Sequence, residues 1–215
     1  MCSRHDIKGF TLVELMVALV VTSVILSAVA ALAFAMNTSA DVGEDMALSQ
    51  AQYRQAVLWL RDLIGNARLI CAAPGDELVV WKADTNDDNL IDVNEVVYIE
   101  RGEDATMVRL CEFETNGSYH KTISNLTDSN TKSSLVSSYG KPPIALIPRC
   151  SNVTFTCYRG NDLVDPPTLA NHVAISFELT EDNGVHRYEV DVALRARADY
   201  LLNANGTALV IRDDD

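Results

Sequence analysis

Between Phe10 and Met36 the chain runs through apolar residues among which Glu14 is the one ionisable side chain. As a helix rising about 1.5 Å per residue, this run is about 40 Å long, enough to cross a hydrocarbon core of about 30 Å. A carboxylate alone in hydrocarbon is costly unless something pairs with it, so a plain membrane anchor leaves Glu14 unexplained. A secretory signal peptide fits worse, because its apolar region spans about 7–15 residues and ends at a small-residue cleavage site.

Lys8-Gly9-Phe10-Thr11-Leu12-Val13-Glu14, at the head of the run, resembles the processing motif of type IV prepilins and type II secretion pseudopilins. In that family a dedicated peptidase cuts after the glycine and the new N-terminal residue is methylated. The resemblance implies a leader of residues 1–9, cleavage between Gly9 and Phe10, and a transmembrane, filament-core helix over residues 10–36. Glu14 then becomes the fifth residue of the mature chain and meets the positive amine of Phe10 on a neighbouring subunit. The physics agrees, since an ion pair across two subunits neutralises a charge that is costly in either alone. The implied partners are other pilins or pseudopilins in a helical filament, the prepilin peptidase/methylase and the bacterial inner membrane. The implied location is single-pass, with the remainder periplasmic or extracytoplasmic.

Beyond a polar step after Met36, helical periodicity resumes. Tyr53, Ala56, Val57, Leu60, Leu63, Ile64 and Ala67 recur at i, i+3, i+4 and i+7, giving an amphipathic helix within residues 37–70 whose stripe packs on a sheet. Gly43 leaves continuity with the first helix open, because glycine costs about 1 kcal/mol in a helix interior. Gly65 is a candidate end.

From Cys71 the period falls to two. Glu77 to Ala83, Glu95 to Arg101, Thr106 to Phe113, Val153 to Tyr158, His172 to Thr180 and His186 to Arg197 read as strands, the last pair joined by an Asn183-Gly184 turn. Residues 114–148, rich in Ser, Thr, Asn and Lys, read as a long polar loop. One helix followed by antiparallel strands is an α+β plan, with residues 71–215 as a β-rich globular domain. This is also the pilin-like fold that the resemblance implies.

Within a hairpin over residues 77–101, Asp84 to Glu95 follows the spacing of the twelve-residue calcium loop. Asp84, Asn86, Asp88 and Asp92 supply side-chain oxygens, Leu90 a backbone carbonyl, and Glu95 a closing bidentate carboxylate. Asn89 stands where glycine is usual and is the residue type best able to adopt the same positive φ. The flanks read as strands, so this is an EF-hand-like loop in a hairpin, with Ca2+ in a structural role.

Cys2 lies in the leader. Cys71, Cys111, Cys150 and Cys157 remain as disulfide candidates, an even number expected to form two bonds outside the membrane. An extended segment separates Cys150 from Cys157 by more than about 16 Å, so these two are not expected to pair.

The net charge of −13 over 215 residues disfavours nucleic-acid binding. His120, His172 and His186 are scattered and read as surface or strand residues, while Trp59 and Trp81 read as core. With no phosphate loop, serine elbow or CxxC motif, an enzyme has no positive support. The size and the late strands ending at Arg197 are similar to those of a minor pseudopilin of the J type. The rival is a membrane-anchored binding module, for adhesion or DNA uptake, using the polar loop and Lys121, Lys132, Lys141 and Arg149.

Overall fold

The computed structural model describes residues 11–102, 106–181, 184–195 and 197–210, with the backbone alone for 38–49 and 181. Helix α1 spans Leu12–Gly65 without interruption at Gly43. Its end at Gly65 coincides with the glycine marked as a candidate stop. The chain divides into two compact units, Met1–Gln50 and Ala51–Asp215, so the last part of α1 belongs with the β-rich unit.

In the first unit, Leu12–Asn37 is long and apolar enough to cross a membrane, and its described side chains are exposed. Thr22, Ser23 and Ser27 return their hydroxyls to carbonyls one turn back, so no polar group of theirs is left for hydrocarbon to desolvate.

The second unit is built from β1 (Leu69–Ala72), β2 (Glu77–Trp81), β3 (Ile91–Asp92), β4 (Val96–Arg101), β5 (Met107–Glu112), β6 (His120–Lys121), α2 (Ile123–Leu126), α3 (Ser129–Tyr139), β7 (Ile144–Pro148), β8 (Cys150–Arg159), β9 (Asp162–Leu163), β10 (His172–Glu181) and β11 (Gly184–Ala193). Five strands form one antiparallel sheet in the order β1-β2-β4-β5-β7; β11-β10-β8-β9 form a second, and β3 and β6 pair alone. The fold is α+β, as the chain pattern indicates.

Both faces of the five-stranded sheet are covered, which explains why β2 and β4 are apolar almost throughout. Alternate residues serve different cores. Ile70, Leu78, Val80, Val97, Ile99 and Leu110 pack with Ala56, Val57, Leu60 and Ile64 of α1 and with the inner face of the second sheet, notably Phe155, Ile175 and Phe177. Val79, Trp81, Val96, Tyr98, Cys111 and Phe113 face the other way, toward Ile91, Val93, Leu126, Leu135 and Leu201. The α1 stripe is as the periodicity requires, and Tyr53 closes it with ring contacts to Phe177 and Tyr188. Trp59 falls off the stripe and is 38% exposed, so it is not a core residue here.

Residues 114–148 are not one long loop. Thr122 caps α2 and pairs reciprocally with Asn125, Asp128 caps α3 by accepting from Asn130 and Thr131, and β7 adds a fifth strand to the sheet. Their polar composition hid this, since α3 buries only Leu135. What holds α3 down is ionic: Lys132 reaches across the sheet to Glu77 on β2 and Glu100 on β4, with its ammonium 5.4 Å from the centre of the Tyr98 ring. Glu100 is also held by Arg109 Nε at 2.7 Å.

The expected disulfides are absent: Cys71, Cys111, Cys150 and Cys157 are free, buried thiols. Topology explains this. Cys71 on β1 and Cys111 on β5 are three strand spacings apart, about 14 Å, against the roughly 7 Å limit for bridged Cα atoms. Cys150 and Cys157 lie along one strand, unpaired with each other as expected, and both belong to the opposite core from Cys71 and Cys111.

Candidate functional site

Two places carry chemistry, one in each unit. At the start of α1, Thr11 and Glu14 form a reciprocal cap: Glu14 Oε2 accepts from the Thr11 backbone N–H at 3.0 Å and from its hydroxyl at 2.9 Å, while Glu14 N–H donates to Thr11 Oγ1 at 3.3 Å. The carboxylate therefore sits at the helix N-terminus, where the backbone dipole favours negative charge. Gly9 and Phe10 lie outside the described residues.

In the second unit, the connection from Trp81 to Val96 folds over the second core. Asp87 and Asn89 both have φ near +58°, so Asn89 takes the left-handed turn expected of it, and Ile91 is buried beneath. Two of the six candidate ligands, Asp84 and Glu95, are engaged by protein donors. Asp84, whose side chain is fully buried, gives Oδ2 to Arg68 Nη1 at 3.0 Å and to the Asn89 N–H at 3.0 Å, and Oδ1 to the Asp88 N–H at 3.2 Å. Glu95 is likewise satisfied by protein donors. One oxygen accepts from the Thr85 N–H and hydroxyl, the other from Trp81 Nε1 at 3.1 Å and the Asp92 N–H at 3.4 Å. These two carboxylates tie the loop to its base.

The loop instead gathers Asp88, Asp92 and a residue from outside it, His120 on β6; one donor atom from each lies within 4.8 Å of the others. The β3–β6 pairing sets Asp92 opposite His120 in register. Asn86 stands between the carboxylates, with Nδ2 donating to Asp88 Oδ2 at 2.8 Å and Asp92 Oδ2 at 3.1 Å. Asp92 is 3% exposed, and its Oδ1 accepts no hydrogen bond. His120 Nδ1 lies 3.1 Å from that oxygen. A buried carboxylate oxygen without a donor costs free energy that a cation would recover. The Leu90 N–H donates to Asp88 Oδ1 at 2.8 Å, and Asn94 Oδ1 is a further buried acceptor without a donor.

By sequence His120 reads as a surface or strand residue. Two-residue strands leave no periodic signal, so nothing along the chain could have paired it with Asp92.

Residues 4–30 match the family described as the prokaryotic N-terminal methylation motif. The chain carries a prepilin-type N-terminal segment. It implies processing by prepilin peptidase and assembly with other pilins, and the apolar helix that follows suggests a single membrane anchor. No curated protein and no solved structure matches the chain. The prepilin-type match ends at residue 30, so the loop and His120 are read from geometry alone.

Of the basic residues considered for a binding surface, Lys132 is held by Glu77 and Glu100, and Lys141 lies 3.4 Å from Glu114.

Proposed function

We propose that this protein is a minor subunit of a type II secretion pseudopilus or a related type IV pilus-like filament. It resides in the inner membrane after removal of residues 1–9 and is then drawn into the filament. The observation that carries the reading is a prepilin-type segment whose single charged residue within the apolar helix, Glu14, stands at the helix N-terminus. A neighbour's Phe10 amine would compete for that carboxylate with the Thr11 donors. A minor position is supported by the size of the chain, which exceeds that usual for a major subunit, and a J-type one by that size with the long amphipathic second half of α1 and the late strands leading to Arg197.

A divalent cation is proposed to close the Asp84 to Glu95 loop in a structural role, calcium being the one that the spacing of the oxygen donors suggests. The spacing of its oxygen donors and the bare Asp92 Oδ1 support a cation there.

Photo-crosslinking from positions beside Glu14 in cells, followed by mass spectrometry, tests the assembly role. Recovery of pilins or pseudopilins, lost in Glu14→Ala, is expected; recovery of neither overturns it. Melting of the full chain in detergent, with calcium and with chelator, tests the loop. Identical melting temperatures would count against calcium.

A further inference from the structure

We propose that Asp88, Asp92 and His120 form the ligand set of a borderline divalent transition ion, zinc being the type, in preference to calcium. The inference rests on the reading of residues 84–95 as a cation loop and names the ion that the folded loop takes.

The argument starts from what is already occupied. Calcium in the twelve-residue arrangement needs the first and last carboxylates of the loop. Here Asp84 is engaged by Arg68 and two backbone N–H groups, and Glu95 by Thr85, Trp81 and the Asp92 N–H. Freeing them would break an ion pair and several hydrogen bonds, two of them buried. The Asp88–Asp92–His120 set asks for less, only the two hydrogen bonds from Asn86 Nδ2, because the buried Asp92 oxygen that faces His120 accepts none.

Donor chemistry points the same way. Calcium takes oxygen ligands, whereas imidazole nitrogen with carboxylate oxygen suits zinc and its neighbours in the first transition row. Spacing agrees as well. Two ligands bound tetrahedrally at about 2.0–2.1 Å stand about 3.3 Å apart. His120 Nδ1 is 3.1 Å from Asp92 Oδ1 and 3.9 Å from Asp88 Oδ2, on either side of that value. Asn86, between the two carboxylates, would present its carbonyl oxygen as a fourth donor by turning its amide over. His120 stays partly exposed and gives the ion a way in from solvent.

The test uses the full chain in detergent, free of affinity tags and stripped with chelator. It is titrated with Co2+, followed by visible absorption, with Zn2+ as competitor and with Ca2+ separately by calorimetry. Expected are ligand-field bands of a site with nitrogen and oxygen donors, displaced by Zn2+. His120→Ala should weaken Co2+ binding at least tenfold, while a His172→Ala, His186→Ala double variant should leave it unchanged. Asp92→Asn should weaken Co2+ as His120→Ala does. Calcium binding stronger than zinc and indifferent to His120→Ala would overturn this inference and leave the calcium loop standing. Failure to bind any of the three ions would overturn both.

Discussion

Nη1 of Arg68, three residues beyond the end of α1, lies 3.0 Å from Oδ2 of Asp84, so the first carboxylate of the loop is neutralised by the chain's own cation. The same guanidinium stacks on Trp81 with its carbon 4.9 Å from the ring centre and donates to the Tyr200 hydroxyl at 3.1 Å. One side chain thus joins the end of α1, the loop and the C-terminal segment.

Arg68→Gln should therefore have two effects of opposite sign. Without added cation it leaves the buried Asp84 carboxylate short of its charged donor, costing about 2 kcal/mol in urea unfolding. With calcium it frees Asp84 to act as a ligand, so the rise in melting temperature on adding calcium should be larger in the variant than in the parent. An equal rise would show that Arg68 does not compete with the ion.

Lys132→Met should cost about 3 kcal/mol, because it strands Glu77 and Glu100 on the sheet beneath α3. Adding Glu77→Gln and Glu100→Gln to the same chain should recover most of the loss, since neither carboxylate is then left charged beneath α3 and only the partly exposed Arg109 gives up a partner. Chemical denaturation of the three chains checks this, and a triple variant no more stable than Lys132→Met would refute the ionic account of how α3 is held.

The two carboxylates that share Lys132 respond differently to pH. Burial opposes ionisation of Glu100, but Lys132 and Arg109 outweigh it and hold its pKa below the ordinary value. At Glu77 burial wins over Lys132, and the pKa is raised. For Glu100, the stabilisation is present above the unfolded carboxylate pKa of about 4.3 and is lost as pH falls through the depressed folded value. Stability of the parent should then exceed that of Glu100→Gln at pH 6 and converge on it in stronger acid. Glu77 contributes the other way, so Glu77→Gln should be relatively better tolerated near neutral pH than Glu100→Gln.

All four described cysteines should be silent in the native state. Burial pushes the thiols of Cys71 and Cys157 up to about 12 and that of Cys150 to about 11. Cys111 also reaches about 12, from burial first and the nearby Glu100 second. Thiolate is the reactive form, so alkylation without reductant should leave these four sites unmodified in the folded chain and label all four in denaturant. A non-reduced mass short by two protons per bridge would restore the disulfides.

The sequence carried what repeats. The α1 stripe from Tyr53 to Ala67 and the strands around Val79, Tyr98, Leu110 and Ile175 have enough turns or alternations to be read without a structure. It lost what is short or distant. β3 and β6 are two residues each, and α3 is anchored by Lys132 and Leu135 where periodicity looks for an apolar stripe. The loop ligands show the same division. Spacing located the oxygen donors, but whether Asp84 faces an ion or Arg68, and Glu95 an ion or Thr85, depends on neighbours that the chain brings up from elsewhere.

Leu78 and Val79 are consecutive, yet each touches a different core. A truncation at Leu78 is felt by α1 and the second sheet, whereas one at Val79 is felt by the loop, α3 and the C-terminal segment. Because only the strand backbones lie between, paired substitutions across the sheet should sum in free energy, while pairs on one side should couple. The face that carries the loop is in this way insulated from the face that carries the helix.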